Sequence, residues 1–255
     1  MAAATVLPGP ALSQGRPPLS RIAFGSCANQ AMGQPIWEAV LSYRPDLFLF
    51  CGDNVYGDFN SSEAGNLKEA YAAAGKIAGY SKLRDSVSHL AVWDDHDYGL
   101  NDGGAECPHK AVSKELFLDF WNAPASDIRR QREGIYDSRI IGPPGMRVQV
   151  ILLDVRWFRS PLKPTDQRGA PGKERYLPDP DPAKTMLGAA QWAWLAEELR
   201  KPAELRLLVS STQVLAEGHG WERWGNMPLE KQKLIDTIRA SGAKGVVLLS
   251  GDRHV

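Results

Sequence analysis

Short apolar runs punctuate the chain, and most of them stop at a small or acidic residue. "RIAF" (21–24) leads into "GSC", and "PDLFLFCGD" (45–53) ends in Gly and Asp. "HLAVWDD" (89–95) ends in two acids, and "AKGVVLLSGD" (243–252) closes in the same manner. Apolar runs of this length, bounded by turn residues, predict buried strands. "LRLLVSS" predicts another, and "GIYDSRII" and "MRVQVILLDVRWF", joined by "GPPG", predict a hairpin-like pair. Helical spacing appears in "QPIWEAVLSY" (34–43), with Ile36, Val40 and Tyr43 on one side. It appears again in the Ala-rich stretch 63–90, interrupted at Gly75 and Gly79, and in "HKAVSKELFLDFWN", "LGAAQWAWLAEELR" and "PLEKQKLIDTIRASG". Residues 160–186, dense in Pro, Gly and charge, predict a long surface loop. Strands alternating with helices predict an α/β fold, and the hairpin predicts mixed rather than purely parallel sheets.

Composition narrows the class. The chain has 255 residues, 43% hydrophobic and 24% charged, with a formal net charge of zero. That suits one soluble domain with a real core. The balanced charge gives no nucleic-acid surface and no polybasic membrane patch. No apolar run is long enough to span a bilayer, so no transmembrane segment is expected. The three cysteines, Cys27, Cys51 and Cys107, are odd in number and cannot all pair within the chain. Residues 1–20 read as a disordered extension or the remnant of a signal peptide. "ALS" there resembles a small-x-small cleavage site, although no basic n-region precedes it. Residues 21–255 read as one catalytic domain.

The chemistry gathers where strands end. "RIAFGSC" ends in Cys27, and "LFLFCGD" in Asp53 with Asn54 and Tyr56 behind it. "WDDHDYGLND" (93–102) crowds Asp94, Asp95, Asp97 and Asp102 around His96 and Asn101, and "VVLLSGDRH" ends in Asp252 and His254. In open α/β folds, sites form at the carboxyl ends of strands. Converging carboxylates repel unless cations neutralise them. Two metals about 3.5–4 Å apart would clamp a phosphoryl group for in-line attack. The mixture of O, N and S donors suits a transition metal better than an all-oxygen Ca or Mg cage.

In the order "GSC", "CGDNVYGD", "WDDHDYGLND", "LLDVRWFR", "LGAAQWAWL", "LLSGDRH", the chain resembles alkaline phosphatase D-type (PhoD-like) enzymes of the calcineurin-like metallophosphoesterases. The resemblance runs from about residue 21 to the end. It implies a four-layer α/β/β/α sandwich with mixed sheets and a dinuclear site. It also implies hydrolysis of phosphate monoesters or diesters by a hydroxide that the metals activate. It implies two metal ions, iron with calcium, with manganese or zinc as alternatives. Carried over residue by residue, Asp53 looks like the bridging ligand. Cys27 and Tyr56 look like ligands of the iron-like metal, Asn101 of the second, and Asp252 and His254 like further ligands. His96 matches the superfamily's catalytic histidine beside the leaving group. Arg156 is expected to neutralise phosphate oxygens, with Arg139 a weaker candidate. The implied substrate is a small phosphate ester or a phospholipid-like headgroup.

Plainer readings stand beside these. Cys27 as a buried small hydrophobe, Tyr56 as a packed aromatic and Asn101 as a turn residue each remain open. Cys51 reads as core, Cys107 as a loop thiol, and His219 as part of a structural loop. Asp94, Asp95 and Asp97 read as groups that orient His96 and nearby ligands. The chain stops directly after "GDRHV", where the family pattern continues, and it lacks the family's N-terminal accessory β-domain. It therefore reads as truncated at the C-terminus. A catalytically silent domain that binds metal or phosphate is the alternative function. A metallohydrolase of a non-phosphate ester is a third. A periplasmic or secreted location is expected, with a cytoplasmic one as the alternative.

Overall fold

The computed structural model describes residues 17–253. Expectations that fall on residues 1–16, on His254 and on Val255 lie outside the described residues. The chain runs β1 (Ile22–Gly25), α1 (Ile36–Tyr43), β2 (Leu47–Cys51), α2 (Gly65–Ala74), α3 (Ala78–Ser86) and β3 (His89–Val92). It continues through α4 (Asp95–Tyr98), α5 (Lys110–Phe120), α6 (Ile128–Gln131), β4 (Asp137–Ile141) and β5 (Val148–Leu153). Then come β6 (Lys163–Pro164), β7 (Tyr176–Leu177), α7 (Gly188–Glu198), β8 (Leu205–Ser210), α8 (Pro228–Ala240) and β9 (Val246–Ser250).

Two sheets form the centre. One has the order β1-β2-β3, all parallel. The other has the order β4-β5-β8-β9, with β4 antiparallel to β5 and the rest parallel. The side-chain period of two divides each strand between two layers. On β2, Phe48 and Phe50 turn toward the helices, with Phe48 5.9 Å from the Trp37 ring of α1 and Phe50 4.6 Å from Trp121. Leu47, Leu49 and Cys51 therefore point the opposite way. They share a core cluster with Val150, Leu152, Leu207 and Val209 of the second sheet. The alternate residues Ile151, Leu153 and Leu208 join a second cluster with Trp192 and Leu195 of α7 and Leu234 of α8. The result is a helix–sheet–sheet–helix sandwich, the layered α/β architecture expected from the sequence.

Two local expectations change. The helix at 36–43 buries Trp37, with Val40 and Leu41 partly buried behind it, while Ile36 and Tyr43 are exposed. The stripe at i, i+3 and i+4 starts one residue later than the one read from the sequence. The strand expected through Asp95 stops at Val92. There the Asp97 carboxylate accepts the Asp94 amide at 2.6 Å and starts the short helix α4. Cys107 lies on the loop before α5, as read from the sequence, and is buried there.

Candidate metal centre

Three of the strands that end at the site lead into a left-handed residue. Cys27 (φ 60°) follows β1, Asp53 (φ 48°) follows β2 and Asp252 (φ 67°) follows β9. A non-glycine residue rarely adopts this conformation, and it persists only where its surroundings hold it. Here the Cys27 amide donates to Gly52 O at 3.2 Å and the Ala28 amide to Asp53 O at 2.8 Å, lacing two of these turns together. Gly52 lets the ends of β2, β3 and β8 close up. A Cβ there would lie 2.7 Å from the Cβ atoms of both Asp94 and Ser211.

Asp53 lies at the centre. Its Oδ2 faces Cys27 Sγ at 3.6 Å and accepts the Tyr56 hydroxyl at 3.3 Å. Its Oδ1 accepts the His96 amide at 3.3 Å. Carboxylate oxygens of Asp53 and Asp95 and a ring nitrogen of His96 lie within 4.8 Å of one another, and so do carboxylate oxygens of Asp95, Asp102 and Glu222. Asp53, Tyr56, His96, Asn101 and Asp252, all nominated from the sequence, line one cavity of about 250 Å³. Cys27 sits at its back, lining with Asp53 a larger, apolar cavity of about 450 Å³.

The electrostatics are those of carboxylates lacking a counter-charge. Burial first, then the charges of Asp94, Asp95 and Asp97, push the Asp53 carboxyl well above the usual range. Burial and Glu222 push Asp252 up to about 7. Burial raises the Cys27 thiol, and burial together with Asp53 raises the Tyr56 phenol. Asp252 Oδ2 is buried with no hydrogen-bond partner among the described residues. A bound cation would reverse every one of these shifts. His96 differs: burial alone would lower it, but the Asp58 hydrogen bond and the Asp95 charge outweigh burial and raise it. Asp58 engages Nδ1 at 2.7 Å, which leaves Nε2 as the ring nitrogen available to a ligand or substrate.

Arg156 is placed differently from its expected role. It is fully buried, and its guanidinium is taken up by the protein. Nε donates to Asp94 Oδ1 at 2.7 Å, Nη1 to Glu222 Oε1 at 2.8 Å and to Gly103 O at 3.2 Å, and Nη2 to Asp94 Oδ1 at 2.5 Å. It braces the cleft wall from behind. Arg139 lies at a separate small cavity and pairs with Asp137. His219 contacts Gln213 at 3.2 Å, in keeping with a loop role. His254 lies outside the described residues.

The sequence reading missed part of the cavity wall. Asp95 was read as an orienting group, yet it belongs to both clusters of possible ligands. Arg175 and Tyr176 arrive on the 160–186 loop, and both engage Asp102 Oδ2, at 2.5 and 2.9 Å. Glu222, Trp221 and Arg253 complete the wall. The only signal for Glu222 was an acid set between tryptophans in "GWERW".

Residues 68–255 match the family model of PhoD-like phosphatases. The chain belongs to the PhoD-like phosphatase family. The matched span takes in His96, Asn101, Arg156 and Asp252, while Cys27, Asp53 and Tyr56 precede it. The chain is 21% identical over 274 residues to alkaline phosphatase D of Bacillus subtilis (strain 168), covering 93% of this chain and 46% of that protein. It superposes on a solved structure described as the structure of PhoD with a TM-score of 0.69 at 19% identity, covering 97% of this chain and 53% of the other. This PhoD-like chain thus spans about half the length of the relatives it matches. The structural likeness carries the sandwich fold. Among the described residues, no helix is long and apolar enough to cross a membrane.

Proposed function

We propose that this chain hydrolyses phosphate monoesters or diesters at a two-metal site centred on Asp53. The observation that carries the reading is the division of Asp53. One oxygen faces a thiol and a phenol, the other faces the His96 side of the cavity. That is the disposition a bridging carboxylate needs. The residues fit metal ions on a second ground: Asp252 holds a buried oxygen with no partner among the described residues, beside carboxyls that burial and mutual repulsion push above their usual range.

In this reading Cys27, Tyr56, Asp252 and Asp53 would hold one ion. Asp53, Asn101 and the acids around Asp95 would hold the other, with His254 as a further ligand. A thiolate and a phenolate favour iron at the first position, an oxygen-rich set favours calcium at the second, and manganese or zinc are the alternatives. When bound, the ions supply charge neutralisation at the phosphoryl group and an acidified water as nucleophile.

The chain's own residues do the rest. Asp58 holds the His96 ring by Nδ1 and favours its protonated form, so Nε2 can hand a proton to the leaving oxygen. Arg156 keeps Asp94 and Glu222 paired, so that the wall carrying Asp95 and Glu222 stays in place. The substrate is a small phosphate ester or phospholipid-like headgroup. A periplasmic or secreted location belongs to the same proposal and rests on the small apolar run ending in "ALS".

The test is hydrolysis of a chromogenic aryl phosphodiester and its monoester analogue by the chelated chain, before and after addition of Fe, Ca, Mn or Zn. Turnover should return with metal and fall by about a thousandfold in Asp53→Asn, the loss of several kcal/mol of charge stabilisation. Turnover indifferent to chelation, or retained in that variant, would sink the two-metal reading. A folded, metal-loaded chain without turnover would leave the silent metal- or phosphate-binding domain.

A further inference from the structure

Among the described residues, one cation lining the cavity has no carboxylate paired with it. Arg156 is sealed behind the wall by Asp94 and Glu222. Arg175 reaches the cavity but pairs with Asp102 at 2.5 Å. Arg253 also lines the cavity, one residue beyond Asp252, and no carboxylate pairs with it among the described residues. Its guanidinium carbon lies 4.9 Å from the centre of the Trp221 ring. Arg175 lies 4.9 Å from the same ring. Trp221 therefore contacts two guanidiniums, one tethered to Asp102 and one not.

This arrangement orders a long side chain without using its charge. Cation–π contact fixes the position of Arg253 while leaving its N–H groups available. The left-handed turn at Asp252 sets the direction in which the next residue leaves the strand end, and the Arg253 amide donates to Gly251 O at 2.9 Å to complete that turn. The same turn thus orients a buried carboxylate and an available guanidinium on one cavity. Four carboxylates besides Asp252 line the same space, and the Arg253 charge acts on Asp252 itself, while its N–H groups stay open to negative charge brought in by a ligand.

We propose that Arg253, steadied by Trp221, is a specificity-determining residue that favours phosphate esters carrying a second negative charge, phosphomonoesters above all. This rests on the phosphoesterase reading of the same site. A monoester near pH 8 is a dianion, whereas a diester with neutral substituents carries a single charge. A planar guanidinium with two parallel N–H groups suits the extra terminal oxygen of the monoester. A diester places an ester substituent where that oxygen would be. Arg253 then distinguishes the two classes even though both bring their phosphorus to the same acids.

The experiment compares kcat/KM for an aryl phosphomonoester and a diester with the same leaving group, in the metal-loaded full chain. Wild type is set beside Arg253→Met, Arg253→Lys and Trp221→Leu, with thermal melting to confirm folding. Losing a charge-assisted, bidentate contact should lower the monoester-to-diester ratio about tenfold in Arg253→Met. Arg253→Lys should recover part of that ratio, and Trp221→Leu should lower it by loosening the guanidinium. A ratio that falls less than fivefold in Arg253→Met overturns the proposal, whatever happens to the absolute rates.

A parallel calorimetric titration with inorganic phosphate and with dimethyl phosphate separates this idea from the hydrolytic one. If the wild-type chain turns over neither ester yet prefers phosphate, and Arg253→Met abolishes the preference, the phosphoesterase reading fails and the anion selectivity stands. If neither anion discriminates between wild type and Arg253→Met, the selectivity falls on its own.

Discussion

Replacing Arg156 by Met separates a bracing role from a phosphate-binding one. The guanidinium is fully buried and makes charged contacts with Asp94 at 2.5 and 2.7 Å and with Glu222 at 2.7 and 2.8 Å. Methionine fills most of the volume but leaves both carboxylates in the interior without their cation. Removing one partner of a buried ion pair destabilises by about 3–5 kcal/mol, because the remaining charge is uncompensated. Arg159 Nε stays 3.2 Å from Glu222 and offsets part of this, so the lower half of that range is expected. For a domain of this size each kcal/mol shifts Tm by roughly 2–4 °C, so melting should fall by at least about 6 °C. The assay is urea unfolding followed by tryptophan fluorescence, with Cm shifted and m unchanged. Adding Asp94→Asn to the variant removes one orphaned charge and should recover about 1 kcal/mol, since members of one network are not additive. A loss below about 1 kcal/mol, the range of exposed pairs, together with a raised KM, would refute the bracing role and return Arg156 to the phosphate.

Other predictions follow from the same geometry. Gly52→Ala should destabilise by about 1–3 kcal/mol from the left-handed backbone alone. The Cβ overlap with Asp94 and Ser211 adds to this, and equilibrium unfolding would reveal it. His89 is held below its usual pKa of 6.5 by burial, with its ring 5.3 Å from Trp121. The folded state thus binds its proton less readily than the unfolded chain. Its stability contribution is full above about pH 6.5 and is lost as pH falls from there through the lowered folded-state value. His89→Gln should flatten the difference in unfolding free energy between pH 7.5 and 5.5, and an unchanged pH slope would remove His89 as a source of acid sensitivity.

The sandwich was largely legible because its strands are nearly continuous apolar runs ending in turn residues. "LFLFC" is buried on both faces and "VQVILL" likewise, so neither can be mistaken for an exposed segment. That Cys27, Asp53 and Asp252, each two residues past a strand, would meet at one end of the sheets was legible for the same reason: a strand end has a known place in a parallel sheet. The fate of Arg156 was not. Nothing in "LLDVR" says that Asp94, from the end of another strand, lies 2.7 Å from its guanidinium. Arg175 and Glu222 were hidden differently. They ride on loops whose return path depends on tertiary contacts, such as the Arg175 and Tyr176 amides donating to Gly220 O at 3.0 and 2.7 Å. The helix at 36–43 shows a subtler failure. Its apolar residues admit two stripes, and the bulk of Trp37 against Phe48 and Tyr80 selects the one that is buried.

The central claim is that Asp53 joins two cation sites. Calorimetric titration of the chelated chain with Mn or Fe, wild type beside Asp53→Asn, tests it most directly. The account predicts two equivalents bound by wild type and a weakening of both in the variant, because one carboxylate would serve both sites. Two equivalents bound with unchanged affinity by Asp53→Asn, or no metal bound by a folded wild-type chain, would contradict it.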